Sequence, residues 1–154
     1  KQLARVVVAL KKAGIRVSLF IEPSVEVVAA SAAIGADIVE LHTGRYCELA
    51  LEGNSKGLAA EVERLAHAAQ AADEAGLEVH AGHGLTYNTV VAVARMPQIV
   101  ELNIGHFLIG EAIFGGLNQA VVHMRKLMDD ARQELAATAA PAAKSQRGAG
   151  KARR

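Results

Sequence analysis

The sequence predicts an α/β fold of the (β/α)8 TIM-barrel type, with these 154 residues supplying about the last four βα units. Three observations lead there. A helix-like segment followed by a short β-branched run recurs four times, three of them punctuated by glycine. Within three of those runs, one face is aliphatic and the other polar. Four such units cannot close around their own interior, since a complete barrel uses eight in about 250 residues.

Taken in order, "RVVVALKKAG" runs into "IRVSLFIE", "VVAASAAIG" into "ADIVELHTG", and "LAHAAQAADEAG" into "LEVHAGHG". Gly14, Gly35 and Gly76 stand where a left-handed residue would end each helix. The fourth round is "TVVAVARM", Pro97 and "QIVELNIGHFLIG", closed by a long helix near Gly116 to Ala136. Strands alternating with helices predict parallel βαβ units with right-handed crossovers. In the second strand Val39 and Leu41 are expected to face helices, with Ile38, Glu40 and His42 opposite. In the third, Val79 and Ala81 oppose Glu78 and His80. In the fourth, Val100, Leu102 and Ile104 oppose Glu101, Asn103 and Gly105. A doubly wound sheet would need both faces apolar, whereas a barrel tolerates a polar interior near the strand ends. Residues 1–136 therefore read as half of a phosphate-binding barrel, cut just before a helix or closed by dimerisation. The stretch 137–154, "ATAAPAAKSQRGAGKARR", reads as a disordered basic tail.

Composition narrows the setting. With 51% apolar residues but only 3% aromatic and no Trp, packing falls to Ala, Val, Leu and Ile. No apolar run approaches the ~20 residues of a membrane helix, so no membrane partner is expected. Cys47 alone excludes an intramolecular disulfide and suits a reducing cytosol. The chain opens at Lys1 rather than Met, leaving its natural start open, and the expected location is cytoplasmic. The net charge of +1 hides a tail with five basic residues and no acid, and a body with 12 basic against 16 acidic. An acidic body argues against a nucleic-acid partner. For the tail, weak contact with a polyanion stands against a merely solvated extension.

Barrel chemistry sits at strand C-termini and the loops after them. Those positions hold Glu22, Glu40 with His42, His80 with His83, and Asn103 with His106. His67 and His123 fall in helices and read as surface or packing residues. A zinc site would suit His and Glu, but His80 and His83 differ by an odd number and no HxH or HExxH spacing occurs. No metal is expected. His42 and His80 also read as satisfied core histidines. His83, between Gly82 and Gly84, is a poor core filler and a natural acid–base group. Glu40 is either a hydrogen-bonded core carboxylate or a stabiliser of a cationic intermediate. "AGHGLT", and "NIGHFLIG" before "EAIFGG", place glycine-rich N–H groups where barrels trap phosphate, so the expected substrate is a small phosphorylated metabolite. The segment "GRYCELALEGNSKG", residues 44–57, is long for a barrel loop and reads as a lid.

"VSLFIEP", "IVELHTGRY", "VHAGHGLTYNTV" and "ELNIGHFLIGEAIFGGLNQAVVHMRKLM" resemble the C-terminal half of the pyridoxine 5′-phosphate synthase family, over residues 1 to about 132. The resemblance implies a (β/α)8 barrel with extra helices, assembled as a homo-octamer. It implies condensation of 1-deoxy-D-xylulose 5-phosphate with 3-amino-2-oxopropyl phosphate, giving pyridoxine 5′-phosphate, inorganic phosphate and water. His83 resembles the family's proton donor. Gly84, Gly105 and His106 resemble its site for the amino-oxopropyl phosphate, and Glu40 its transition-state-stabilising glutamate. No cofactor or metal is implied, because proton shuttling and positioning can drive these steps. The family's N-terminal motifs, with a further catalytic histidine and glutamate and much of the deoxyxylulose phosphate site, are absent. The isolated chain is therefore expected to be inactive and marginally stable. Two rivals remain: another phosphate-binding barrel, of the thiamine phosphate synthase or sugar-phosphate isomerase type, and a non-catalytic half-barrel binding module.

Overall fold

The computed structural model describes the backbone of residues 1–148 and the side chains of residues 1–138. The elements run α1 (Gln2–Lys12), β1 (Ser18–Ile21), α2 (Val25–Ala33), β2 (Ile38–His42), α3 (Gly44–Leu51), α4 (Ser55–Glu74), β3 (Glu78–Gly82), α5 (Val90–Ala94), β4 (Ile99–Asn103), α6 (His106–Gly115) and α7 (Leu117–Gly148). The four strands form one parallel sheet in the order β1-β2-β3-β4, each paired with its neighbours in the chain. Gly14, Gly35 and Gly76, just past the ends of α1, α2 and α4, all take positive φ. There the chain reverses toward the next strand at no Cβ penalty.

One face of the sheet is the core. Val39, Leu41, Val79 and Ala81 project from β2 and β3 and are at most 1% exposed. They pack with Leu65, Ala68, Ala69 and Ala72 of α4, whose small side chains admit the helix close to the sheet. Burying each Leu or Val side chain contributes about 1.5–3 kcal/mol. Asn54 starts α4 by accepting the Gly57 N–H on its side-chain oxygen at 3.0 Å. At the opposite end of the strands Asp37 ties α1, β1 and β2 together. Its carboxylate takes the Lys11 ammonium at 2.8 Å and the Val17 N–H at 2.9 Å. Both contacts, the Lys11 hydrogen bond first, hold Asp37 below the usual carboxylate range.

The other face carries the polar row expected of it. Glu40 pairs in register with His80, and His80 with Glu101. The fourth strand departs from expectation. Its register shifts between Val79 and His80, so that Ile99 pairs with Val79, Glu101 with His80, and Val100 with neither. Ile99 is consequently buried, and Val100, expected among the helix-facing residues, is 66% exposed. A bulge changes which side chains point inward, and strict alternation cannot anticipate it.

Three further expectations are corrected. Residues 44–57 are not a long loop: they form α3, a short turn and the start of α4, with Tyr46, Cys47 and Leu49 buried. Those buried side chains anchor α3 to the core, so the segment is not the free loop expected of it. The strand-like run after Pro97 stops at Asn103, and His106–Gly115 is a helix, α6. The last helix does not end at Ala136 but continues to Gly148. Of the basic tail expected over 137–154, the backbone of 137–148 belongs to α7, and 149–154 lie outside the described residues. Among the described residues no helix is long and apolar enough to cross a membrane.

Candidate active site

At the C-terminal end of the sheet lies an open cleft of about 470 Å³ lined by Phe20, Glu40, His83, Gly84, Leu85, Thr86, Asn103, Ile104, Gly105, His106 and Phe107. It gathers Glu40, His83, Gly84, Gly105 and His106 from three separate strand–loop units. Parallel strands bring this about, because every βα loop then emerges at the same end.

Glu40 is half-buried on the polar face of β2. Its Oε1 occupies the space beside Gly82, where a Cβ would come within 2.5 Å of it and 2.8 Å of the Asn103 carbonyl. Glycine at position 82 is therefore what lets the carboxylate lean over β3 toward β4.

His83 is the one non-glycine residue with positive φ among the described residues, at 78°. A left-handed conformation costs a side-chain-bearing residue roughly 1–2 kcal/mol, so surrounding contacts must hold it. The following Gly84 is also left-handed, at φ 85°, and the space a Cβ would need there is closed by Cys47. The His83 ring stacks on His42, with centroids 4.7 Å apart, and Phe20 leans edge-on against His42 at 5.2 Å. Gly44 completes this packing, since a Cβ there would fall 2.5 Å from His42 Cε1 and 3.1 Å from His83 Cδ2.

Beneath the His83 loop is a buried hydroxyl network. Thr43 is fully buried at the C-terminal end of β2. Its N–H donates to the Gly82 carbonyl at 2.8 Å, and its Oγ1 lies 2.7 Å from the His83 carbonyl and 2.8 Å from that of Gly82. Tyr46 donates to the Thr89 carbonyl at 3.0 Å, and Thr89 Oγ1 receives the Thr86 N–H at 2.8 Å. Burial pushes the Tyr46 hydroxyl and the Cys47 thiol up, so Cys47 is kept protonated and serves as packing.

Gly105 is the N-cap of α6 and supplies no capping side chain. The first-turn N–H groups of α6 are thus open to an anion at the positive end of the helix, with His106 as the first helical residue. No atom lies within 4 Å of a Cβ position at Gly105, so the site has room beside the backbone.

Other candidates fall elsewhere. His80 is buried outside the cleft, with Nε2 2.8 Å from Glu78 Oε1 and Nδ1 3.4 Å from Glu101 Oε1. Hydrogen bonds from Arg16 and then His80 hold Glu78 below the usual carboxylate range. Glu22 approaches His42 Nδ1 at 3.5 Å without making a hydrogen bond, and that nitrogen has no partner among the described residues. Arg64 holds Glu22 from the far side, at 3.3 Å, together with Glu61 at 2.6 Å. His67 and His123 are exposed, His123 stacking on Tyr87. Among the described residues no group of three or more His, Cys, Asp or Glu is arranged to hold a metal ion. Sequence reading missed Phe20, Thr43 and the Thr86–Thr89 pair. Thr43 had a signal, as a polar residue directly between a strand end and the glycine that begins a helix.

Comparison with known proteins places this geometry in context. A family model described as pyridoxal phosphate biosynthesis protein PdxJ matches residues 1–130. The chain is similar to the pyridoxine 5′-phosphate synthase of Caulobacter sp. (strain K31), at 57% identity over 136 residues, 88% of this chain and 54% of that protein. It is also similar to the proteins of that name from Cereibacter sphaeroides (strain ATCC 17029 / ATH 2.4.9), at 55% over 130 residues, 84% of this chain and 52% of that protein, and Ruegeria pomeroyi, at 52% over 131 residues, 85% and 53%. The chain spans about half the length of the curated relatives it matches.

Proposed function

The chain belongs to the PdxJ family of pyridoxal phosphate biosynthesis proteins, and from that premise we propose that it is the C-terminal half of a pyridoxine 5′-phosphate synthase, a transferase-type enzyme of vitamin B6 biosynthesis. The observation that carries the reading is the meeting of Glu40, His83, Gly84, Gly105 and His106 around one cleft. Another four βα units would close the sheet into a (β/α)8 barrel and cover its polar face. On this reading the working enzyme is a cytoplasmic homo-octamer, as the family resemblance implies.

The substrates are 1-deoxy-D-xylulose 5-phosphate and 3-amino-2-oxopropyl phosphate. The phosphate of the amino-oxopropyl substrate binds across Gly84, Gly105 and His106. There the backbone of the His83–Gly84 turn and the uncapped first turn of α6 face the cleft. The amine then stands beside His83 and Glu40. Condensation of amine with ketone gives an imine, whose formation and later loss of water and phosphate need protons delivered at defined atoms. His83, exposed at the tip of its turn, donates them. Glu40, held over Gly82, sets a negative charge against the cationic imine. Holding both reactants in one cleft lowers the entropic part of the barrier.

The test is an assay of the two substrates on the full-length gene product with and without His83→Asn. Asparagine tolerates the left-handed backbone, so folding is preserved. Pyridoxine 5′-phosphate from the parent and a fall of at least ~100-fold in the variant are expected. Activity untouched by the substitution removes His83 from catalysis. A folded full-length parent that makes no product sinks the synthase reading. Residues 1–154 made alone are expected to show no turnover, and measurable turnover would overturn that expectation.

A further inference from the structure

We propose that Thr43 is a positioning residue for His83, a two-point clamp on the carbonyls either side of the His83 Cα that holds this residue in its left-handed conformation. The inference rests on the acid–base reading of His83 for its functional consequence, but on geometry for the clamp itself.

Thr43 occupies the N-cap of α3, where a threonine hydroxyl ordinarily accepts an N–H from the first turn. Here its side chain makes no capping bond. It turns instead to a segment forty residues away in the chain, with Oγ1 at 2.7 Å from the His83 carbonyl and 2.8 Å from the Gly82 carbonyl. A hydroxyl has one proton for the two oxygens. Gly82 already receives the Thr43 backbone N–H at 2.8 Å, so the proton is best placed on His83. The other donor near that carbonyl is Cys47 Sγ at 3.9 Å, a weak one. One residue thus grips the peptide oxygens before and after the φ and ψ of His83.

His83 needs such a grip. Its φ of 78° is unfavourable for a residue with a Cβ, and its ring must still stack against His42 and face the cleft. Without the hydroxyl, the partly buried His83 carbonyl loses its strong donor, and the peptide can rotate toward an ordinary backbone conformation. The imidazole would leave the position from which it reaches substrate. A displacement of about 1 Å is enough to lower turnover on the order of a hundredfold.

The experiment compares Thr43→Val, which keeps shape and removes the hydroxyl, with Thr43→Ser, which keeps the hydroxyl, in the full-length synthase and again in its His83→Asn background. Thr43→Val is expected to lower kcat by ten- to a hundredfold with KM within about threefold, and Thr43→Ser to recover most of it. In the His83→Asn background Thr43→Val should add almost nothing, because its effect passes through the histidine. Full activity of Thr43→Val, or the same fold loss in both backgrounds, overturns the proposal. A crystal structure of Thr43→Val decides the clamp separately from catalysis: His83 is expected to leave the left-handed region, and an unchanged φ sinks the clamp even if His83 proves catalytic. If His83→Asn leaves turnover intact, the acid–base reading fails alone and the crystallographic result still decides. Should Thr43→Val not fold, Thr43→Ala against Thr43→Ser poses the same question.

Discussion

Glycine at positions 82 and 105 serves opposite purposes, and substitution separates them. At Gly82 an added methyl meets Glu40 Oε1 and a backbone carbonyl of β4, neither of which yields without moving a strand or the carboxylate. Gly82→Ala is expected to destabilise the fold by about 1–3 kcal/mol and to displace Glu40, with turnover falling alongside the denaturation midpoint. At Gly105 the same methyl meets nothing within 4 Å. Gly105→Ala should melt with the parent and instead raise KM for the amino-oxopropyl phosphate, as read by steady-state kinetics. A melting temperature lowered by more than a few degrees would show that Gly105 matters to folding rather than to the substrate. His83 and Glu40 were legible in the sequence because each breaks a local rule: a side chain inside a glycine turn, a carboxylate in the middle of a strand. Thr43 gave only a weak signal, a polar residue at a strand end before what reads as a loop, because the carbonyls it grips lie forty positions away.

At the scale of elements, carboxylates at the N-terminal end of the sheet tie strands to their neighbours. Asp37 joins α1 to β1 and β2, and Glu78 joins β3 to Arg16 and His80. Both carboxyls are held below their ordinary range in the folded protein. The folded state therefore binds these protons less readily than the unfolded chain. Their contribution is fully present above the unfolded values near 4 and is lost as pH falls through the lower folded values. Urea unfolding of the full-length protein followed from pH 6 downward should show that loss. Lys11→Met should reduce it by returning Asp37 toward its ordinary value, and an acid limb unchanged by Lys11→Met would exclude this ion pair as a cause. At the start of α4, Asn54→Ala is expected to cost about 1 kcal/mol through the lost cap on Gly57. Helix and strand order could be read from periodicity and glycine placement, since both reflect backbone geometry near the residue concerned. The helical character of residues 44–51 and of α6 could not. Gly44, Gly110 and Gly115 in those segments look like loop residues, and tertiary packing overrides that local preference.

At the scale of the molecule, the apolar residues that remain outside are as telling as those buried. Ile113 and Phe114 of α6 are 78% and 89% exposed, Val121 and Val122 continue the surface along α7, and Leu3, Val6 and Val8 lie open on α1. Edges β1 and β4 also each keep one side unpaired within the sheet. Residues 1–154 produced alone are expected to bind a hydrophobic dye and to form aggregates that grow with concentration, whereas the full-length protein should bind little dye and stop at a closed assembly. Light scattering that stays flat for the isolated chain would contradict this. A four-stranded parallel sheet with one polar face was legible from four repeated units, but which surfaces stay uncovered depends on contacts no periodicity encodes. The sheet order β1-β2-β3-β4 has a further consequence for a chain leaving the ribosome. From β2 onward each strand that emerges finds its partner already waiting, so the sheet can grow during synthesis one strand at a time. Twenty residues separate Ser18 from Ile38 and Val79 from Ile99, but forty separate Ile38 from Glu78. The pairing of β3 with β2 is the long interval, since at roughly 5–20 residues per second its partner takes twice as long to appear. During that interval the nascent α3–α4 segment must hold its apolar face without the third strand, and that is when a chaperone would have most to do.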